Sequence, residues 1–185
     1  MRVISGSARG KKLNSLQGDL TRPTLDRVKE ALFNILQFEI RDSIVLDLFS
    51  GSGALAIEAL SRGAKCAIVC DNSKEAIKII NQNLQETKLL DKAQIICSDY
   101  MEALKKITNE KIKFDIIFLD PPYKTNYLEN AINTIIKNKL LKDDGIIVLE
   151  TDDENKIENI KKIENIEIYD KRKYGIVNIV FVRKG

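Results

Sequence analysis

The stretch VLDLFSGSGALAIEAL, residues 45–60, decides how the chain is read. An apolar run of strand length, IVLDLF (44–49), carries Asp47 near its end and stops at a loop with Gly51 and Gly53. The loop turns directly into GALAIEALSRG (53–63), a helical stripe that closes on a glycine, a natural helix stop. Glycines let the backbone turn tightly and approach a ligand, and the helix N-terminus adds free N–H groups. Strand, glycine loop and helix together make the first unit of an open α/β sheet.

The same alternation continues outward. AIVC (67–70), AQIICS (93–98), FDIIFLD (114–120) and GIIVLE (145–150) read as strands. Helices are expected between and after them, over SKEAIKIINQNLQE (73–86, with Ser73 as N-cap), MEALKKI (101–107), YLENAINTIIKNKLL (127–141) and ENKIENIKKI (154–163). The last stretch, IEIYDKRKYGIVNIVFVRK (166–184), reads as two strands around a basic turn. This pattern predicts an α/β protein with a mainly parallel sheet of seven strands, covered on both faces, and an antiparallel strand at one edge.

Residues 1–43 stand apart from that pattern. MRVISGSARGKKLNSL reads as a β-hairpin around Ala8–Lys11. TRPTLDRVKEALFNILQFEI reads as a helix, capped by Thr24 or a neighbour, with Val28, Leu32, Ile35 and Leu36 as its apolar stripe. Residues 1–29 carry Arg2, Arg9, Lys11, Lys12, Arg22, Arg27 and Lys29 against Asp19 and Asp26. That balance reads either as a solvated basic face or as a phosphate-contacting lobe beside the main fold.

Composition narrows the chemistry. The chain has 185 residues, 44% of them hydrophobic and 31% charged, with a formal net charge of +3. No run of about 18 apolar residues is present, so no membrane span is expected. The N-terminus lacks the apolar core of a secretory signal. Histidine is absent, which removes Ser-His-Asp, Cys-His and His-metal mechanisms. Cys66, Cys70 and Cys97 are odd in number and form no Cys-x-x-Cys pair. They read as reduced, buried thiols of a cytosolic protein, and no metal is expected.

Four acids then fall into one register. Asp47, Asp71, Asp99 and Asp120 each sit at the C-terminal end of a successive strand, the edge where open α/β sheets bind ligands. Gly51-x-Gly53-x-x-Ala56 with Asp71 downstream also matches the dinucleotide fingerprint. A carboxylate before the glycine loop, however, repels a pyrophosphate and suits the positive amino-acid end of S-adenosylmethionine. Asp71 with Asn72 can take ribose hydroxyls. Asp99 can accept from an adenine amine or cap the following helix.

The tetrad Asp120-Pro121-Pro122-Tyr123 holds two of the three prolines in the chain. The lone pair of an exocyclic nucleobase amine is delocalised into the ring, so the amine is a weak nucleophile. The Asp120 carboxylate and the Pro121 carbonyl can accept its two N–H hydrogens and aim the lone pair, with the prolines fixing the carbonyl's direction. Tyr123 can stack on the base.

On these residues the chain resembles a class I S-adenosylmethionine-dependent methyltransferase. More narrowly it resembles the RsmD family, which methylates N2 of a guanine in bacterial 16S ribosomal RNA. The resemblance runs through RVISGSARGKKL (2–13), TRPTLDRVKEALFNIL (21–36), VLDLFSGSGALAIEALSRGA (45–64), FLDPPY (118–123) and KYG (173–175). It implies a Rossmann-like fold over residues 44–185 with the hairpin and helix of residues 1–43 appended. It implies that Asp47, Ser50, Gly51 and Gly53 line the methionine end of the cofactor, that Asp71 and Asn72 hold ribose and adenine, and that Asp99 reads the adenine. Asp120 to Tyr123 would hold the guanine amine. The N-terminal lobe, with Arg9, Lys11, Lys12, Arg22 and Arg27, would face RNA. A small chain with one basic lobe is further expected to act as a cytoplasmic monomer on RNA already shaped within a small-subunit particle.

Three rivals have their own signatures. Another amino-methyltransferase would act on adenine N6, or on a glutamine through an asparagine-led NPPY, where this chain has Asp120. An NAD-dependent oxidoreductase leaves DPPY and Asp47 without a task. A non-catalytic RNA-binding assembly factor needs only the basic lobe.

Overall fold

The computed structural model describes residues 1–16, 23–122 and 126–185, with side chains left aside for residues 23–25. Side chains alternate sides along a strand, and a sheet flanked by helices must be apolar on both faces. Val45, Val69, Ile116, Phe118, Val148 and Phe181 pack to one side. Leu46, Ile68, Ile117, Leu119, Ile147 and Val180 pack to the other.

The strands are β1 (Ile44–Asp47), β2 (Cys66–Asp71), β3 (Ala93–Cys97), β4 (Phe114–Leu119), β5 (Leu141–Thr151), β6 (Ile166–Tyr174) and β7 (Val177–Lys184). The helices are α1 (Pro23–Ile35), α2 (Ala54–Ser61), α3 (Lys74–Glu86), α4 (Tyr100–Asn109), α5 (Tyr127–Lys137) and α6 (Glu154–Ile160). The buried apolar residues of α1 and α2, with Ile80 and Leu84 of α3, join the first core, and those of α4, α5 and α6 the second. No described helix is long and apolar enough to cross a membrane.

The seven strands lie in the order β3-β2-β1-β4-β5-β7-β6. The first five are parallel, and β7 runs antiparallel to both its neighbours. The antiparallel pairing therefore occupies one end of the sheet, as expected. The reversed strand β7 is seated one place in, and β6 closes that edge. Strand order reverses between β1 and β4, which opens a crevice at their C-terminal ends.

Several local boundaries differ from the sequence reading. The helix expected to reach residue 141 stops at Lys137. Lys139 adopts φ 54°, and the N–H groups of Lys139 and Leu140 donate to the carbonyls of Ile136 and Ile135. This is a left-handed helix stop, and it frees Leu141 to begin β5. The basic residues expected in the last turn lie within β6, and the turn itself is Gly175-Ile176 between the paired Tyr174 and Val177. Ser73 caps α3 as expected, accepting from the Ala76 N–H at 3.2 Å. The thiols are all free, but only Cys70 is buried. Cys66 is half-buried and Cys97 exposed.

The N-terminal segment pairs with itself through an Arg2–Lys12 bridge and a Val3 N–H donating to the Lys11 carbonyl at 2.9 Å. It lies flat on the C-terminal end of α2. Ser7 N–H donates to the Ser61 carbonyl at 2.8 Å, and Ala8 N–H donates to Ser61 Oγ at 3.0 Å. At Gly6 a Cβ would stand 1.8 Å from the Ser61 carbonyl oxygen. Only glycine allows that approach.

Candidate active site

One pocket of about 520 Å³ opens at the C-terminal ends of β1 to β4. Asp47, Ser50, Gly51, Asp71, Asn72 and Asp99 line it, together with Asp120, Pro121 and Pro122. Gly53 sits behind the loop instead. Its φ of 77° makes the turn into α2, and a Cβ there would meet Ile80 at 3.4 Å. Tyr123 and Arg22 lie outside the described residues.

The glycine loop is held by its own hydrogen bonds. Ser50 Oγ donates to the Asp47 carbonyl at 2.7 Å, and Gly53 N–H donates to the Ser50 carbonyl at 2.8 Å. Asp71 ties the loop to β2: one carboxylate oxygen accepts from Gly51 N–H at 2.9 Å and the other from Ser73 N–H at 2.8 Å. Buried Asn83 of α3 donates to the Ser52 and Asn14 carbonyls at 2.9 and 3.0 Å. It thereby seats Ser15 and Leu16 at the pocket rim, where Met1, Val28, Lys29 and Leu32 complete an N-terminal wall.

Asp47 is the most constrained of the acids. It is 2% exposed and accepts from Ala56 N–H at 3.2 Å. Burial pushes its carboxyl up to about 7. The Ala56 N–H opposes that shift and Asp71 adds to it. Asp99 takes the capping task and keeps a place in the pocket lining. Its Oδ1 accepts from Met101 N–H at 2.9 Å as the N-cap of α4, while the exposed residue also lines the pocket. Asp120 is exposed at the end of β4, and Pro121 beside it is buried.

The sequence reading missed an aromatic wall. Phe49 stacks on Tyr127 at 6.1 Å with an interplanar angle of 7°, and Tyr100 stands 5.3 Å from Phe49 and 4.7 Å from Tyr127. All three line the pocket. The available signal was an aromatic beside each strand-end motif: Phe49 after Asp47, Tyr100 after Asp99, and Tyr127 after the proline tetrad.

The donor set discriminates between ligands. A pyrophosphate needs free N–H groups away from carboxylates, but here Asp47 and Asp71 line the pocket and accept from the N–H groups of Ala56 and Gly51. Lys29, a cation in the lining, is engaged by Glu58 at 3.0 Å. A site of carboxylates and aromatic faces instead fits a cationic ligand with an aromatic base, which is the chemistry of S-adenosylmethionine.

This strand order, with an acid at each of four adjacent strand ends, defines the class I methyltransferase fold. The solved structure of yhhF from Escherichia coli superposes with a TM-score of 0.84 at 33% identity, covering 100% of this chain and 97% of that one. The chain belongs to the RsmD family, whose model, described as conserved hypothetical protein 95, matches residues 1–183. YlbH of Bacillus subtilis is 39% identical over 184 residues, 100% of this chain and 99% of that protein. The ribosomal RNA small subunit methyltransferase D of Haemophilus influenzae is 41% identical over 82% of this chain and 79% of its own length.

Proposed function

We propose that this chain transfers a methyl group from S-adenosylmethionine to the exocyclic N2 amine of a guanine in 16S ribosomal RNA. The observation that carries the reading is one pocket in which Asp47, Asp71 and Asp99 stand beside Asp120 and Pro121. Family relatives named for the RNA of the small ribosomal subunit support the choice of substrate.

When bound, the cofactor supplies an electrophilic methyl on a sulfonium sulfur. Asp47 would face the ammonium of its amino-acid end, with Ser50, Gly51 and Gly53 shaping the loop around it. Asp71 and Asn72 hold the ribose and Asp99 the adenine. Asp120 and the Pro121 carbonyl accept the two N–H hydrogens of the guanine amine and direct its lone pair. Pro122 stiffens the segment, and Tyr123 stacks on the base. A carboxylate is too weak a base to deprotonate a neutral amine. Asp120 therefore positions the amine, and the proton leaves once the nitrogen is cationic.

Residues 1–43 serve as the RNA-facing unit beside the catalytic residues 44–185. Arg9, Lys11, Lys12 and Arg27 are exposed there, and Arg22 belongs to the same set. The protein acts as a monomer in the cytoplasm, on RNA held in a small-subunit particle. The test is to incubate it with methyl-labelled S-adenosylmethionine and particles from a strain lacking its own enzyme, then digest the RNA to nucleosides. Label in N2-methylguanosine is expected. Label in N6-methyladenosine, or none, overturns the reading.

A further inference from the structure

A second cleft, of about 380 Å³, lies on the far side of α1 from the first pocket. Val28, Lys29 and Leu32 line the first pocket, whereas Asp26, Arg27 and Glu30 line the second. Met1 and Arg2 divide in the same way. The wall between the two is thus one helix thick, about 10 Å, a distance that a short run of single-stranded RNA spans.

The chemistry of the second cleft is mixed. Arg2, Arg9 and Arg27 line it together with Asp26 and Glu30. Asp26 is engaged by Arg2, whose backbone N–H donates to it at 3.3 Å and whose guanidinium stands 3.9 Å away. Among the described residues, Arg9, Arg27 and Glu30 make no side-chain hydrogen bond or ion pair with one another or with a neighbour. Gly10 leaves one side open: its φ is 82°, and a Cβ there would meet nothing within 4 Å.

A surface built for phosphate alone would carry cations without unpaired carboxylates among them. A nucleotide presents both complements, phosphate oxygens for guanidinium groups and base N–H donors for a carboxylate. We infer that this cleft binds a second nucleotide of the substrate RNA, with its phosphate on Arg9 and Arg27 and its base edge on Glu30. The inference rests on the reading of the chain as an RNA methyltransferase, and it adds a base-reading site outside the methylation pocket.

Glu30 gives the decisive test, because electrostatics alone predicts the opposite sign. Binding to undermethylated small-subunit particles is measured by filter retention across a salt series, with thermal midpoints to check folding. Glu30→Ala is expected to weaken binding about tenfold, the scale of a hydrogen bond to a charged group, with the salt slope unchanged. Arg9→Gln with Arg27→Gln is expected to weaken it and to lower the salt slope by about 1. Equal or tighter binding by Glu30→Ala reduces the cleft to charge attraction and overturns the inference. Methyl transfer by the unaltered protein is run alongside. If that is absent, the functional reading falls and takes the cleft's role with it. If it is present and Glu30→Ala binds normally, the cleft alone is overturned.

Discussion

Asp47 and Glu58 lie eleven positions apart in one strand-loop-helix unit, and both are buried. Their surroundings are opposite. Glu58 accepts from the backbone N–H groups of Ile4 and Ser5 at 2.8 and 3.0 Å. It also meets Lys29 at 3.0 Å and Arg62 at 2.8 Å. Asp47 has one backbone N–H, that of Ala56, and another carboxylate, Asp71, as a charged neighbour. A buried charge is tolerated when its lone pairs are filled by partners. Glu58 meets that condition and fastens the N-terminal segment and α1 to α2. Among the described residues Asp47 meets no cation, and in the function proposed above the bound ligand would supply one. One carboxylate belongs to the architecture; the other is the one proposed to meet the ligand.

The comparison can be broken at either end. Glu58→Gln leaves two cations and two N–H groups around a neutral amide. It is expected to cost about 3–5 kcal/mol and to lower Tm by roughly 10 °C, read by thermal unfolding. A shift of a degree or two would remove Glu58 from its structural role. Asp47→Asn keeps an oxygen for Ala56 N–H and removes a carboxylate that burial disfavours, so its Tm should hold or rise. Its affinity for S-adenosylmethionine should fall about 10- to 100-fold, measured by calorimetry. Normal affinity would detach Asp47 from the cofactor.

The pH dependence sharpens the same point. Burial raises the Asp47 pKa from 3.8 to about 7, so between those values the folded chain binds more protons than the unfolded one. Its contribution to stability is present at low pH and is lost as pH rises toward 7. Cofactor binding has the opposite sign, because a cation prefers the ionised carboxylate. Affinity should weaken by up to about tenfold per pH unit below about 7, and Asp47→Asn should flatten the profile. The smallest expected effect is at the surface. Neutralising Arg9, Lys11 and Lys12 together should lower the salt slope of RNA binding by about 1 for each phosphate that these side chains no longer neutralise.

Much of the fold was legible because its signals are local. Alternating apolar strands and striped helices announce themselves within ten residues, and each strand-end acid is adjacent to its own strand. The positions of Asp47, Asp71, Asp99 and Asp120 followed from that register alone. What stayed hidden depends on contacts across the chain. Glu58 looks like a solvated helix residue until the N-terminal segment, 53 and 54 positions away, covers it. Lys29 counted as one more basic residue near the N-terminus, yet it is 4% exposed, and desolvation lowers its pKa against the pull of Glu58. The Phe49–Tyr100–Tyr127 wall joins three separate strand-end loops, so no sequence window contains it. The end of α5 was missed because Lys139 adopts a left-handed turn usually given to glycine or asparagine.

The central claim, that the pocket methylates a guanine amine through Asp120, meets its most direct test in ribosomal RNA itself. Small-subunit RNA is mapped by mass from a deletion strain carrying an empty vector, the unaltered gene or Asp120→Ala. The account predicts one N2-methylguanosine that disappears on deletion, returns with the unaltered gene and does not return with Asp120→Ala. An unchanged guanine methylation pattern on deletion, or full restoration by Asp120→Ala, would contradict it.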